Sequence, residues 1–243
     1  MAEPGIRGAD QERDVALPPG QYRIDGFPRF GAHLDRPPPE VPDDRRIEVT
    51  GAVSRPTTVA LTELASLPQH EVVADLHCVA GWSATGLLWG GVAFSDLYRT
   101  HIEPSVPSAT TITHLVFEGL DGYRSVALLE DVLADDVVIA DRLDGRPLGP
   151  DHGAPVRLVS PSQYGFISTK HLCRIELCDS EPDVRYHPSL RVHLGLQMVK
   201  PHRRARVAYE ERHRYLPAWL VRPVYHRLVP MVRRRRVSGD GQL

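Results

Sequence analysis

Only three cysteines, Cys78, Cys173 and Cys178, occur in 243 residues. They are too few and too unevenly placed for a disulfide framework and are read as reduced thiols. No apolar run approaches the roughly 20 residues of a membrane-spanning helix. The N-terminal stretch MAEPGIRGADQERDVALPPG has no apolar segment of the length that a secretion signal needs. These absences set the expectation of a cytoplasmic protein. No internal repeat is visible.

What is present is ordinary globular composition, 42% hydrophobic and 25% charged, enough to bury one well-packed domain but not two. The net charge of -2 conceals an asymmetry. Between Pro201 and Arg236 stand eleven arginines against Glu210 and Glu211, about +9; the other 18 basic and 29 acidic residues leave the remainder about -11. The expected organisation is an extended N-terminal arm over 1–45, rich in proline, glycine and charge, a folded domain over 46–180, and a basic C-terminal extension over 181–243.

Within the domain, RIEVTGAV (Arg46 to Val53) alternates as a first strand. TTVALTELASLP predicts a strand end and a short helix with Thr62 as N-cap. EVVADLHCV (Glu71 to Val79) predicts a strand delivering Cys78 at its end, and Ser95 is expected to cap a brief helix carrying Leu97 and Tyr98. Two Asp-Gly pairs, Asp121-Gly122 and Asp144-Gly145, mark hairpins. APVRLVSP and KHLCRIEL are two further strands around the loop SQYGFIST. Many short strands, tight turns and small helices define a mixed α+β fold.

The stretch DLHCVAGWS (Asp75 to Ser83) raises the chemical question. Cys78 has three readings: a buried space-filler, as free cysteines often are; a nucleophile, which needs a positioned base that the adjacent His77 does not automatically supply; or a metal ligand. A zinc site does not fit, since Cys173 and Cys178 make no close-spaced pair with Cys78. A lone thiolate can instead hold a transition metal whose other ligands come from an organic cofactor.

HCVAGWSATGLLWGGVAFSDLY and, further on, GYRSVALLEDVL and LDGRPLGPDHGAPVRLVSPSQYGFISTKHLCRIEL resemble the sulfite oxidase type of molybdopterin-dependent oxidoreductases, in particular the bacterial protein-methionine-sulfoxide reductase branch. The similarity runs from about Arg46 to Leu177. It implies the family's molybdopterin-binding fold, a molybdenum-molybdopterin cofactor, and two-electron oxygen-atom transfer on a small molecule or sulfoxide-type substrate. Cys78 occupies the position of the molybdenum ligand. His152 and Arg157 fall where relatives contact pterin and phosphate, the arginine offering paired, charge-assisted hydrogen bonds. Ser168, Thr169 and Lys170 fall where the family wraps a phosphate in a nest-like anion site. GFPRFGAH resembles the segment laid over the pterin, with Phe27, Arg29 and Phe30 as contacts. Tyr164, Trp82 and Tyr123 are candidates for the substrate pocket.

The pattern also departs from its relatives. Where sulfite oxidases carry an arginine cluster, this chain has Trp82, Ser83 and Ala84, which argues against sulfite as substrate. Ala80 stands where the methionine-sulfoxide branch has an acidic residue, and Ile167 and His171 replace a family basic residue and aromatic. About 60 residues after Leu177 are too few for a dimerising β-sandwich of roughly 100 residues, so a separate electron-transfer partner is expected. The tail mixes Leu216, Trp219, Leu220, Val224 and Tyr225 with arginines, a combination suited to peripheral contact, through 201–236, with the inner face of an anionic membrane. Its wrapping the protein's own acidic body is the competing expectation, and nucleic acid ranks third. The rival to an enzyme is a non-catalytic protein of the same fold that docks on a membrane or partner through this tail.

Overall fold

A computed structural model describes residues 16–28, 37–183 and 202–224. Among the described residues, eleven strands form two sheets. The first sheet contains β1 (Tyr22–Arg23), β4 (Gln69–His77), β5 (Trp82–Ala93), β8 (Val138–Leu143), β9 (Arg146–Pro147) and β10 (Arg157–Val159). The second runs β3 (Thr57–Ala60), β2 (Arg46–Gly51), β11 (Leu172–Cys178), β6 (His114–Gly119), β7 (Arg124–Leu128). Helices are short: α1 (Leu61–Ser66), α2 (Phe94–Leu97) and α3 (Leu129–Val132). The architecture is the expected α+β mixture.

The hairpins form where the Asp-Gly pairs lie. Asp121 Oδ1 accepts from the amide of Tyr123 at 3.0 Å between β6 and β7. Asp144 and Gly145 join β8 to β9 in a two-residue turn, and Asp144 Oδ1 accepts from the Leu88 amide at 3.1 Å. Two capping expectations fail. The amide of Ala60, not a side chain at Thr62, starts α1 by donating to Glu63 Oε2 at 2.6 Å. Ser95 lies inside α2, whose cap is Ala93. In both cases the preceding strand runs directly into the helix and leaves no room for a separate capping residue.

Strand periodicity gives the first sheet two working faces. Val92, Ile139 and Leu158 point into the main core with Ile47, Leu115, Phe117 and Ile175 of the second sheet. Trp82, Ala84, Trp89, Val138, Ala140 and Val159 point the other way and form a smaller cluster that includes Cys78. Arg157, two residues before Val159, shares that second face.

The N-terminal segment is not a free arm over its described part. β1 runs parallel to the start of β5, pairing Tyr22 with Trp82 and Arg23 with Ser83. The C-terminal segment also returns to the body: the Tyr164 amide donates to Ala205 O (2.8 Å) and the Val207 amide to Ser162 O (3.0 Å). Arg206 pairs with the buried carboxylate of Asp131 at 2.5 Å, and Arg204 pairs with Glu130. Residues 202–213 of the basic tail are therefore engaged with the protein itself, which narrows the expected membrane contact to the part beyond them. Among the described residues no helix is long and apolar enough to cross a membrane.

Candidate functional site

β4 ends at His77 and β5 begins at Trp82, so Cys78 sits in the four-residue turn between them. The Cys78 amide donates to Trp82 O (2.8 Å), and the Gly81 amide donates back to Cys78 O (2.9 Å). The N-terminal segment braces this turn from outside. Its Tyr22 amide donates to Gly81 O (2.9 Å) and Gln21 Nε2 donates to Cys78 O (3.2 Å). Ser83 Oγ donates to Gln21 Oε1 (3.1 Å) and lies 2.8 Å from His77 Nδ1. Burial holds His77 below the ordinary histidine range, against the opposing charge of Asp75.

Cys78 is 6% exposed. Burial pushes its thiol up to about 12, opposed by the Ala80 amide, 3.5 Å from Sγ, and by the Arg212 charge. Such a thiol is protonated at neutral pH and makes a poor nucleophile, which argues against the thiol-enzyme reading. A coordinating metal reverses the balance, because its charge deprotonates a bound thiol outright. Cys78 is also not sealed among aliphatic groups alone, since Trp82, Trp89 and Phe27 belong to its cluster.

On the same face, Arg157 is 1% exposed. Its Nη1 donates to His152 O (3.0 Å), its Nη2 to Ser168 O (3.0 Å), and its guanidinium lies 5.1 Å from the Trp89 ring and 6.0 Å from that of Phe27. Among the described residues no carboxylate pairs with it, and burial pulls it down to about 9. Phe27 in turn stacks on His152 at 4.7 Å and 17°. The indole N–H of Trp89 is buried with no acceptor among the described residues.

Residues far apart in sequence thus come together: Phe27, Cys78, Trp82, Trp89, His152 and Arg157. Lys170 Nζ donates to Asp151 O at 2.6 Å, beside His152. The hydroxyls of Ser168 and Thr169 are committed inward, to the Ser160 amide (3.1 Å) and Ser125 Oγ (2.7 Å). What Ser168 can offer an anion is its main-chain amide, whereas the Thr169 amide donates to Ile167 O (2.7 Å) and its carbonyl accepts from the Leu158 amide (2.9 Å). Tyr164 is fully buried, with the Arg212 guanidinium 5.0 Å from its ring, and burial pushes its phenol to about 12. Tyr123 props the same loop by donating to Phe166 O at 2.7 Å. Arg29 and Phe30 lie outside the described residues.

The fit to an anionic, metal-bearing chelate can be tested on these atoms. A buried guanidinium without a carboxylate is costly, and an anion offsets that cost. Trp89 adds an unmatched donor. One soft sulfur suits a metal whose remaining ligands are themselves sulfurs of a chelate. The residues fit. Trp89, Gln21 and Arg212 were not singled out from sequence; Trp89 is legible once β5 is recognised as a continuous strand, whereas Arg212 carries no local signal.

Comparison with known proteins gives a consistent result. The family described as oxidoreductase molybdopterin binding domain matches residues 33–186. An uncharacterized oxidoreductase, YuiH, of Bacillus subtilis (strain 168) is 30% identical over 170 residues, 70% of this chain and 82% of that protein. The protein-methionine-sulfoxide reductase catalytic subunit MsrP of Xanthomonas campestris is 27% identical over 152 residues, 58% of this chain and 47% of that one. The crystal structure of the sulfane dehydrogenase SoxCD from Paracoccus pantotrophus superposes with a TM-score of 0.51 at 23% identity, covering 60% of this chain and 41% of that chain, a likeness of fold. The chain spans most of the Bacillus relative but less than half of the Xanthomonas one.

Proposed function

The chain belongs to the molybdopterin-binding oxidoreductase family, and from that premise we propose that it is an enzyme of two-electron oxygen-atom transfer on a small molecule or sulfoxide-type substrate. The observation that carries this is the pairing on one sheet face of a buried thiol and a buried guanidinium lacking a carboxylate partner, bridged by Trp89 and Phe27.

The cofactor, when bound, would supply the two-electron redox chemistry for oxygen-atom transfer. The chain's residues do the rest. Cys78 holds the metal through its sulfur. Arg157 would hold the cofactor's anionic end with charge-assisted hydrogen bonds, helped by Lys170, His152 and the main-chain amide of Ser168, with Thr169 bracing that loop through Ser125. Phe27, stacked on His152, covers the pterin from the N-terminal segment, with Arg29 and Phe30 next to it in sequence. Trp82 and Tyr164 line the substrate side. Reduction of a sulfoxide takes up two electrons and two protons and releases water, and a separate protein partner delivers the electrons.

Three free thiols support a reducing, cytoplasmic location. Tyr215, Leu216, Trp219 and Val224 are 67%, 42%, 71% and 53% exposed, and the arginine-rich stretch to Arg236 follows them. This combination supports peripheral contact with an anionic membrane surface. Co-sedimentation with phosphatidylglycerol-rich vesicles should drop severalfold in Trp219→Ala; an unchanged bound fraction refutes the membrane contact.

The functional reading is tested by metal analysis of protein from a molybdenum-replete host. About one molybdenum per chain is expected, lost in Cys78→Ala, together with turnover of a sulfoxide by an artificial electron carrier. Metal-free, normally folded wild-type protein would instead support the non-catalytic docking role.

A further inference from the structure

Arg212 comes from the C-terminal segment, yet its side chain is 0% exposed and ends at the cysteine turn. Its Nη1 donates to Val79 O, the carbonyl immediately after Cys78. Its Nη2 donates to Gly20 O at 3.0 Å, with Pro19 O at 3.5 Å. The guanidinium lies over the Tyr164 ring at 5.0 Å, and Glu210 Oε1 is 3.6 Å away. One planar group therefore joins four chain regions: the N-terminal segment, the cysteine turn, the loop at Tyr164 and the tail. Only a rigid fork reaches carbonyls of two separate segments while its face rests on a ring.

The chain has made room for this. Gly20 has φ +69°, and a Cβ there would lie 2.9 Å from Arg212 Nη2 and 2.5 Å from Glu210 Oε1. A side chain at position 20 would displace the clamp.

We propose that Arg212 is a positioning residue for the metal ligand: it fixes the Cys78–Ala80 turn through Val79 O and brings a positive charge to that turn, making the C-terminal segment part of the site. This rests on the functional reading above. Its consequences are geometric, through the turn, and electrostatic, through the charge.

The test uses full-length protein in two states. In metal-free protein, amide hydrogen exchange is followed at Gly81, whose N–H is bonded to Cys78 O, with Gly119, bonded to Tyr123 O, as the distant control. Arg212→Gln should speed exchange at Gly81 about tenfold and leave Gly119 unchanged, and Gly20→Ala should do the same with Arg212 intact. Unchanged Gly81 protection in both variants overturns the clamp, whatever the metal content. In loaded protein, Arg212→Gln should shift the Mo(V) electron paramagnetic resonance g-values and lower the metal's reduction potential. Arg212→Lys should restore the potential, since it keeps the charge, but not the g-values, since it loses the fork. A spectrum and potential identical to wild type in Arg212→Gln refute the proposal and leave the functional reading standing. Should Arg212→Gln fail to load, Arg212→Lys is read alone, and a wild-type spectrum there refutes the proposal. Wild-type protein that takes up no molybdenum sinks the functional reading, while the exchange comparison still decides the clamp.

Discussion

The two faces of the first sheet differ in kind although they are made by the same strands. One face packs Val92, Ile139 and Leu158 against Phe117, Leu115 and Ile175 of the second sheet, apolar against apolar. The other gathers Cys78, Trp82 and Trp89 in a small cluster and adds the cation Arg157, which has no carboxylate partner among the described residues, to that face. Burial of the first kind drives folding. Burial of the second kind raises the thiol to about 12 and drops the guanidinium to about 9; at neutral pH the thiol is protonated folded or unfolded, while burying the charged guanidinium opposes folding, and such perturbed groups cluster at functional sites. One face holds the protein together and the other carries the proposed ligand site.

Exchanging the two sorts of damage breaks the comparison most sharply. Phe117→Ala, at a fully buried core ring, should cost about 3–5 kcal/mol of stability while each folded chain still carries metal. Cys78→Ser should do the reverse, keeping the unfolding midpoint of metal-free protein within about 1 kcal/mol of wild type and losing molybdenum. Denaturant titration alongside metal analysis reads both.

A finer distinction comes from Arg157→Met. Replacing this buried cation, which has no carboxylate partner among the described residues, by an apolar group of similar length should change the stability of metal-free protein little, relief of the buried charge offsetting the lost hydrogen bonds to His152 O and Ser168 O. Pterin content, measured by fluorescence after oxidative release, should fall at least about tenfold. A loss of stability without loss of pterin would make Arg157 a structural residue.

Acid should act through the histidines. Burial holds His77 and His171 below the ordinary value of 6.5, and His114 likewise. The unfolded chain therefore binds more protons as pH falls through and below about 6.5, so stability present above that value is lost on acidification. Thermal melts of metal-free protein between pH 7 and pH 5 should show this decline, shallower in His171→Asn. The smallest effect is expected at the seam with the tail. Asp131→Asn removes the partner of Arg206, whose side chain is 32% exposed, and should cost about 1 kcal/mol.

Much of the second sheet was legible because its signals are local. Alternation marked Arg46–Gly51 and Leu172–Cys178, and Asp121-Gly122 marked the hairpin that flanks Leu172–Cys178 at the sheet edge. The cysteine at a strand end, and the segment bearing His152, Arg157 and Lys170, were visible as motifs. The length of β5 was not, since Gly90 and Gly91 look like a break. Gly91 is instead a close approach, where a Cβ would meet Ile139 O at 2.1 Å. The caps at Thr62 and Ser95 were misplaced because strand-to-helix junctions left the cap to Ala60 and Ala93. The two residues of β1 are exposed and polar in setting, paired only because β5 lies beside them. Arg212 was indistinguishable from its neighbours in a basic run; its burial is a property of four segments meeting.

X-ray absorption at the molybdenum edge examines the central claim at the atom concerned. Wild-type protein should show the sulfurs of the chelate plus one more, and whatever metal Cys78→Ser retains should show one sulfur neighbour fewer. An unchanged sulfur shell in that variant would mean that Cys78 does not hold the metal.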